Sequence, residues 1–115
     1  MSVTVGEMAR AIEHTLLRPE ATPQQIDALC DEAVRYGFAG VCVNPMYVRR
    51  AAERLAAVGA ESAARTRPFV VATVGFPLGA NLTATKADEA RRAMDDGATE
   101  IDMVVALGEL IAGNG

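Results

Sequence analysis

The sequence has 115 residues, enough for one domain with a hydrophobic core. Half of the residues are hydrophobic but only 4% are aromatic, so the core must be built mainly from Ala, Val, Leu and Ile. The formal net charge is −4 and the arginines are dispersed among acidic residues, which excludes an extended basic surface. We therefore do not expect nucleic acid as a partner.

The opening residues, "MSVTVGEMAR", contain neither a long apolar core nor a small-residue cleavage pattern. Nowhere in the chain do about 18 uninterrupted apolar residues occur, so we predict a cytoplasmic protein with no membrane partner. Cys30 and Cys42 lie in apolar segments, and His14 is the only histidine. Because these three residues match no familiar zinc spacing, we predict buried free thiols and no metal site.

The first predicted strand and helix lie close to the amino terminus. Residues 11–17 form an apolar run that is too short for an ordinary helix and ends at a Pro-rich segment, which favours a strand. Thr22, Pro23 and Gln25 then form a helix start: Thr22 caps, Pro23 suits the first helical position, and Gln25 completes a capping box. Apolar residues recur at helical spacing until Gly37, which ends the helix.

The alternation of strand and helix continues to the end of the chain. The remaining predicted elements are a strand over 39–45, a helix opened by Pro45 with Asn44 as its cap and ended by Gly59, a strand over 69–76, a helix over 83–96 with Ala87, Ala90 and Met94 inward, and a strand over 100–107. This alternation predicts parallel strands joined by crossover helices, hence an α/β fold. Residues 1–115 form a single domain in this interpretation.

The fourth strand is followed by only a few residues, without the helix that the pattern requires. We expect this strand to be partly bare and the sheet to have two open edges, which invite pairing with another chain.

The loop "GFPLGAN", residues 75–81, contains turn residues but no phosphate-loop or dinucleotide-binding spacing. It lies between a strand and a helix, where α/β proteins bind ligands, so it is a candidate wall of a site. Lys86 is the only lysine and lies near Asp88 and Glu89. Those carboxylates would raise its pKa, whereas an amine nucleophile needs a lowered one, so we predict a solvated surface lysine.

Asp102 is a carboxylate inside the apolar run "EIDMVV", where an isolated buried charge would be costly. Strand alternation places Asp102 and Val104 on one side and Ile101, Met103 and Val105 on the other, against covering helices. Asp102 then faces a barrel interior or a cleft, where it could carry a proton or orient a water. The alternative is a carboxylate at a strand end that accepts hydrogen bonds from backbone amides, and spacing favours neither.

Glu13 and Cys42 fall in the first and second predicted strands. Glu13 is either a second inward carboxylate or an exposed residue at a strand edge. Cys42 either lines the same cavity as Asp102 or packs in the core.

Four segments, "IEHTLLRPEAT", "GFAGVCVNP", "ATVGFPLGAN" and "GATEIDMVVALGELIAGN", together resemble deoxyribose-phosphate aldolase, a class I aldolase. The resemblance runs from about residue 11 to the end of the sequence. It implies a (β/α)₈ barrel, of which these residues supply the first four strands and three intervening helices. That fold typically takes about 250 residues.

The resemblance also implies a reaction: reversible cleavage of 2-deoxy-D-ribose 5-phosphate to D-glyceraldehyde 3-phosphate and acetaldehyde through a lysine Schiff base, without a cofactor. Asp102 matches the family's proton-relay aspartate, and Cys42 matches a cysteine that lines the pocket. Glu13 stands where the family usually has aspartate. The family's Schiff-base lysine, in a "Lys-Thr-Ser" sequence on the sixth strand, has no counterpart in these residues.

Two hypotheses follow. The chain is the amino-terminal half of such an aldolase, inactive alone, which acts on a phosphorylated sugar when combined with a complementary carboxy-terminal half. Alternatively, it is a non-catalytic half-barrel that pairs with itself or with a second chain.

Overall fold

A computed structural model describes residues 2–61 and 67–114 of the chain. Strands and helices alternate along it, with a short helix at each end. The elements are α1 (Val5–Ala9), β1 (Glu13–Leu16), α2 (Pro23–Tyr36), β2 (Gly40–Val43), a 3₁₀ turn (Pro45–Tyr47), α3 (Val48–Glu61), β3 (Phe69–Val74), α4 (Thr83–Asp95), β4 (Glu100–Met103) and α5 (Leu107–Ile111). Part of the polar linker between α3 and β3, residues 62–66, lies outside the described residues.

The four strands form one parallel sheet in the order β1-β2-β3-β4. Each strand therefore pairs directly with the next strand of the chain, and a helix connects the two. The predicted α/β fold with parallel strands and crossover helices is confirmed. The strand order is new information, because the same alternation of elements fits several sheet orders.

The hydrophobic core lies between the sheet and helices α2, α3 and α4. Its strand residues are Val41, Val43, Val70 and Ala72, and its helix residues are Ile26, Leu29, Cys30, Ala33, Val34, Val48, Ala51, Leu55 and Ala93. The predicted capping box at the start of α2 is confirmed: the backbone N–H of Gln25 donates to the Thr22 hydroxyl, and that of Thr22 donates to the Gln25 side chain. Gly37 ends α2 in the left-handed conformation.

Helix α4 turns a different face to the core from the one predicted. Ala87 and Met94 are exposed, whereas Lys86 and Ala93 are buried. The pattern excluded Lys86 from the apolar face because of its charge, although a lysine can bury its aliphatic stem. The buried face is therefore displaced by one residue from the prediction.

The region after β4 also differs in part from the prediction. A short helix, α5, follows the strand, but the end of β4 and the residues just after it stay partly bare: Met103 is 46% exposed and Val105 is 52% exposed. Of the three apolar residues expected to pack under helices, only Ile101 contacts the core. Among the helices of the described residues, none combines the length and apolar character that crossing a membrane requires.

Candidate active site

The sheet face turned away from α2, α3 and α4 carries the three predicted site residues. Paired residues of parallel strands share a face, and alternate residues of one strand face opposite sides. Thr15, Cys42, Val71 and Glu100 stand in one paired row, and Thr73 pairs with Asp102. We call this the inner face and define it by its strand residues: Glu13, Thr15, Cys42, Val71, Thr73, Glu100 and Asp102.

Asp102 lies on this inner face, on the side that the alternation of β4 predicts, but its side chain is exposed. The expectation of a carboxylate buried among aliphatic neighbours is therefore wrong for these residues. The reason is that β4 is an edge strand of the sheet, so Asp102 has a paired strand on one side only. Cys42 and Thr73, at the centre of the same face, are 5% and 1% exposed.

Glu13 and Cys42 join Asp102 on the inner face. Glu13 is both inward and exposed, because it begins the edge strand β1. Burial raises the pKa of the Cys42 thiol to about 11, and the carboxylates of Asp102 and then Glu13 contribute to that increase. Desolvation raises the pKa of Glu13, followed by the negative charges of Glu100 and Asp102. The three predicted residues are therefore electrostatic neighbours.

Glu100 is a further inner-face carboxylate that the sequence interpretation missed. It lies two residues before Asp102, so strand alternation alone would have placed both on one face. Its charge acts on Glu13, although β2 and β3 lie between their strands. Glu100 therefore adds a third carboxylate to the inner face, on the edge strand opposite that of Glu13.

A cavity of about 590 Å³ opens at the carboxyl ends of β1 and β2. It is lined by Leu17, Arg18, Pro19, Asn44, Phe76 and Pro77. Asn44 was predicted to cap α3, but its side chain makes no cap hydrogen bond. Its amide nitrogen instead donates to the Leu17 carbonyl at 3.2 Å, and its amide oxygen accepts from the Thr73 hydroxyl at 3.3 Å. Asn44 thus links the ends of three adjacent strands beside Asp102.

Phe76 and Pro77 belong to the loop between β3 and α4, so this loop forms a wall of the cavity, as its position in the sequence suggested. Lys86 lies behind the loop and is 9% exposed. The prediction of a solvated surface lysine is therefore wrong. Its Nζ donates to the Gly79 carbonyl at 3.0 Å and to the Val104 carbonyl at 3.4 Å.

The inner-face positions of the four strands include three carboxylates, Glu13, Glu100 and Asp102, and no cationic residue. Within the ranges 2–61 and 67–114, the His, Cys, Asp and Glu side chains form no group of three suited to a metal ion. Cys30 and Cys42 are both buried free thiols. The strands therefore present an acidic surface around a buried thiol, next to a cavity at their carboxyl ends.

Comparison with known proteins relates this arrangement to one group of enzymes. No family model matches the chain. The chain is 49% identical over 113 residues to a deoxyribose-phosphate aldolase from Caldicellulosiruptor saccharolyticus, a match that covers 97% of the chain and 47% of that protein. It is 52% identical over 102 residues to deoxyribose-phosphate aldolase 2 from Staphylococcus aureus MRSA252, with 89% of the chain and 43% of that protein covered. The chain is therefore similar to the amino-terminal half of deoxyribose-phosphate aldolases.

Solved structures of deoxyribose-phosphate aldolases have the same fold. A putative deoxyribose-phosphate aldolase from Coccidioides immitis superposes with a TM-score of 0.84 at 42% identity, over 97% of this chain and 41% of that one. The tetrameric deoxyribose phosphate aldolase from Aeropyrum pernix superposes with a TM-score of 0.80 at 30% identity, over 91% of this chain and 42% of that one. These neighbours are (β/α)₈ barrels. The chain spans less than half the length of these relatives, and its four parallel strands correspond to half of a barrel sheet.

Proposed function

We propose that these residues form the amino-terminal half of a deoxyribose-phosphate aldolase site. The complete site would cleave 2-deoxy-D-ribose 5-phosphate reversibly to D-glyceraldehyde 3-phosphate and acetaldehyde, with no cofactor. The observation that carries the proposal is the position of Asp102, which lies on the inner face beside Cys42 and Glu13, near the cavity at the strands' carboxyl ends. In barrel enzymes that end of the strands holds the active site.

Asp102, Cys42 and Glu13 each have a distinct role in this proposal. Asp102 is exposed on the inner face and carries protons to and from the reacting sugar. Cys42 forms part of the pocket wall as a neutral thiol, because its pKa of about 11 leaves it protonated at neutral pH. Glu13 is a second proton-binding group, since its pKa is raised by its own desolvation and by the nearby carboxylates.

The proposed reaction needs an amine in addition to these residues. A lysine condenses with the C1 aldehyde, with loss of water, to form a Schiff base. The C3 hydroxyl then loses its proton and the C2–C3 bond breaks, so that its electron pair moves toward the imine nitrogen and glyceraldehyde 3-phosphate leaves. C2 next regains a proton, and water releases acetaldehyde and the free amine. Asp102 supplies the proton transfers of these steps.

The charge of the inner face supports a cationic counterpart. The negative charges of Glu100 and Asp102 raise the pKa of Glu13, and all three carboxylates raise the pKa of Cys42, which indicates repulsion between like charges on this face. A complementary half that brings lysine ammonium groups to this face would relieve the repulsion and supply the amine. The family's Schiff-base lysine, on its sixth strand, fits this requirement.

A reconstitution experiment tests the proposal. The 115-residue chain is mixed with the carboxy-terminal half of the Caldicellulosiruptor saccharolyticus relative, and the release of glyceraldehyde 3-phosphate is followed in a coupled assay. We expect activity in the mixture and none in either half alone. Asp102→Asn should lower kcat by about 10²- to 10⁴-fold, the usual contribution of a positioned acid–base group. Asp95→Asn, at the exposed end of α4, is the matched control.

The amine of this chain provides a second test. Lys86 is the only lysine, and its Nζ is buried and donates to two carbonyls. Borohydride treatment with 2-deoxyribose 5-phosphate should therefore leave the isolated chain unmodified, as judged by intact mass. An adduct on Lys86 would overturn the assignment of the Schiff base to a complementary half.

A second candidate function, a non-catalytic half-barrel that pairs with its own copy, rests on the open sheet edges. In the described residues β1 and β4 are each paired on one side only, and Met103, Val105 and Ile111 are exposed near β4. Closure with a second copy would bring two sets of three inner-face carboxylates together, which is unfavourable at neutral pH. Sedimentation velocity separates the two candidate functions. A discrete dimer of this chain at pH 7, in the absence of a complementary half, would favour the second candidate function.

A further inference from the structure

Lys86 is a buried ammonium group whose hydrogen-bond acceptors are neutral. It is 9% exposed, and its Nζ donates to the carbonyl oxygens of Gly79 and Val104, which belong to different segments. Gly79 lies in the loop between β3 and α4, and Val104 follows the last residue of β4. Since burial of an ammonium group is costly without partners, this lysine depends on the loop and on the end of β4 lying together.

The loop itself is shaped to fit against this lysine and β4. Gly75 has a φ of +67°, and a Cβ on it would stand 2.8 Å from Lys86 Cδ. A Cβ on Gly79, which also has a φ of +67°, would stand 2.0 Å from the Val105 carbonyl oxygen. The Gly75 amide donates to the Glu89 carboxylate of α4 at 2.9 Å. Helix α4 therefore holds the loop at two points, Gly75 and Gly79.

The segment between these two points is the wall of the cavity. Phe76 and Pro77 line it, opposite Leu17 and Arg18. The second carbonyl bound by Lys86 belongs to Val104, two residues beyond Asp102. The amide of Val104 also donates to the Val74 carbonyl at 2.9 Å and extends the pairing of β3 with β4. One ammonium group thus ties the cavity wall to the strand that carries the candidate proton carrier.

We propose that Lys86 is a positioning residue for this site: its ammonium group anchors the β3–α4 loop to the end of β4 and thereby fixes the cavity wall formed by Phe76 and Pro77. The catalytic consequence rests on the proposed aldolase function. The anchor itself does not, because it follows from contacts within this chain.

The first test measures the anchor without any assay of activity. In the 115-residue polypeptide, reductive methylation with ¹³C-formaldehyde can modify only the Lys86 Nζ and the α-amino group. We expect Lys86 to react about tenfold more slowly in the folded chain than in urea, relative to the α-amino group, because reaction requires local opening of the loop. Equal relative rates in the two conditions would overturn the anchor.

The second test uses the reconstituted enzyme. Lys86→Met keeps the aliphatic stem but removes the ammonium group, and Arg91→Met removes an exposed charge from the same helix as the matched control. We expect Lys86→Met to raise KM roughly tenfold with kcat and the pH profile retained, since the loop lines the proposed substrate cavity but transfers no proton. Lys86→Arg keeps the positive charge and the N–H donors, so its KM should lie between that of Lys86→Met and that of the unsubstituted enzyme.

The outcomes separate the two proposals. If Lys86→Met lowers the melting temperature but leaves KM unchanged, the residue has only a structural role and the positioning proposal fails. If Lys86→Met does not fold, dimethylation of Lys86 in the 115-residue chain before mixing decides, because a dimethylated ammonium group keeps one N–H and cannot donate to both carbonyls. A KM equal to that of the unmethylated enzyme would then refute the positioning proposal. If no reconstituted mixture is active although Lys86 is protected from methylation, the aldolase function fails and the anchor stands.

Discussion

The reactivity of Cys42 measures the electrostatics of the inner face directly. Its pKa of about 11, against 9.0 for an unperturbed thiol, lowers the thiolate fraction at pH 8 about a hundredfold, from roughly 10% to roughly 0.1%. Because Cys42 is also 5% exposed, the absolute alkylation rate mixes access with ionisation. The pH dependence isolates ionisation: we expect the rate with iodoacetamide to rise about tenfold per pH unit from pH 7 to pH 10, without a plateau.

The variant Asp102→Asn tests the cause of this shift. Burial is the largest cause of the raised pKa and Asp102 is the second, so removing this charge should move the rate profile to lower pH and accelerate alkylation by less than about tenfold. Peptide mass spectrometry measures the alkylation of Cys30, whose pKa is about 12, in the same sample, so Cys30 serves as an internal reference. Cys30 should not respond, because its raised pKa results from burial and from Asp27 and Asp31.

Two results would refute this reasoning. A Cys42 rate that levels off by pH 10, as expected for a thiol with a pKa of 9.0, with circular dichroism showing a folded chain, would mean that the thiol is not shifted. An unchanged pH profile of the Cys42 rate in Asp102→Asn would mean that this carboxylate does not raise the pKa of Cys42. The two residues would then not be electrostatic neighbours. Asp95→Asn is again the matched control for loss of one exposed charge.

Three further predictions concern stability. Glu13 has a raised pKa in the folded chain, so its contribution to the free energy of unfolding falls as pH rises from about 4.5. Glu13→Gln should therefore raise the melting temperature at pH 7 and leave it unchanged near pH 3. An equal change at both pH values would contradict the raised pKa. Leu55→Ala, at a core residue that is 1% exposed, should cost about 2–5 kcal/mol in urea unfolding, and a cost below about 1 kcal/mol would mean that the core repacks. Gly79→Ala should cost more than Gly37→Ala, because only at Gly79 does the added Cβ overlap a carbonyl oxygen in addition to the left-handed strain of about 1–2 kcal/mol.

Local sequence signals predicted the elements well where the deciding contacts are local. The Thr22 and Gln25 capping box is formed within one helical turn, so the residues that specify it also form it. Strand alternation likewise placed Asp102 and Ile101 on opposite faces of β4, as the structure has them. The short length of β4, four residues, and the position of Asp102 on an edge strand could not be predicted in this way, because both depend on the rest of the sheet.

Predictions failed where a side chain binds a distant segment. Asn44 was expected to cap α3, but its amide bonds to Leu17 and Thr73, 27 and 29 residues away in sequence. Lys86 was expected in solvent, but its acceptors are 7 and 18 residues away. A helical pattern treats both residues as polar surface, because nothing local reveals an acceptor on another element. The inner-face geometry of the candidate site could therefore be predicted from alternation, whereas its supporting hydrogen bonds could not.

The sequential order of the sheet has a consequence for how the chain reaches its fold. Each strand pairs with the one that precedes it in the chain, so every new strand and helix can dock onto structure that already exists. Pairing each strand with the one before it keeps the loops to be closed as short as helical crossovers allow. We expect strand pairing within these residues to proceed by addition, from β1 toward β4.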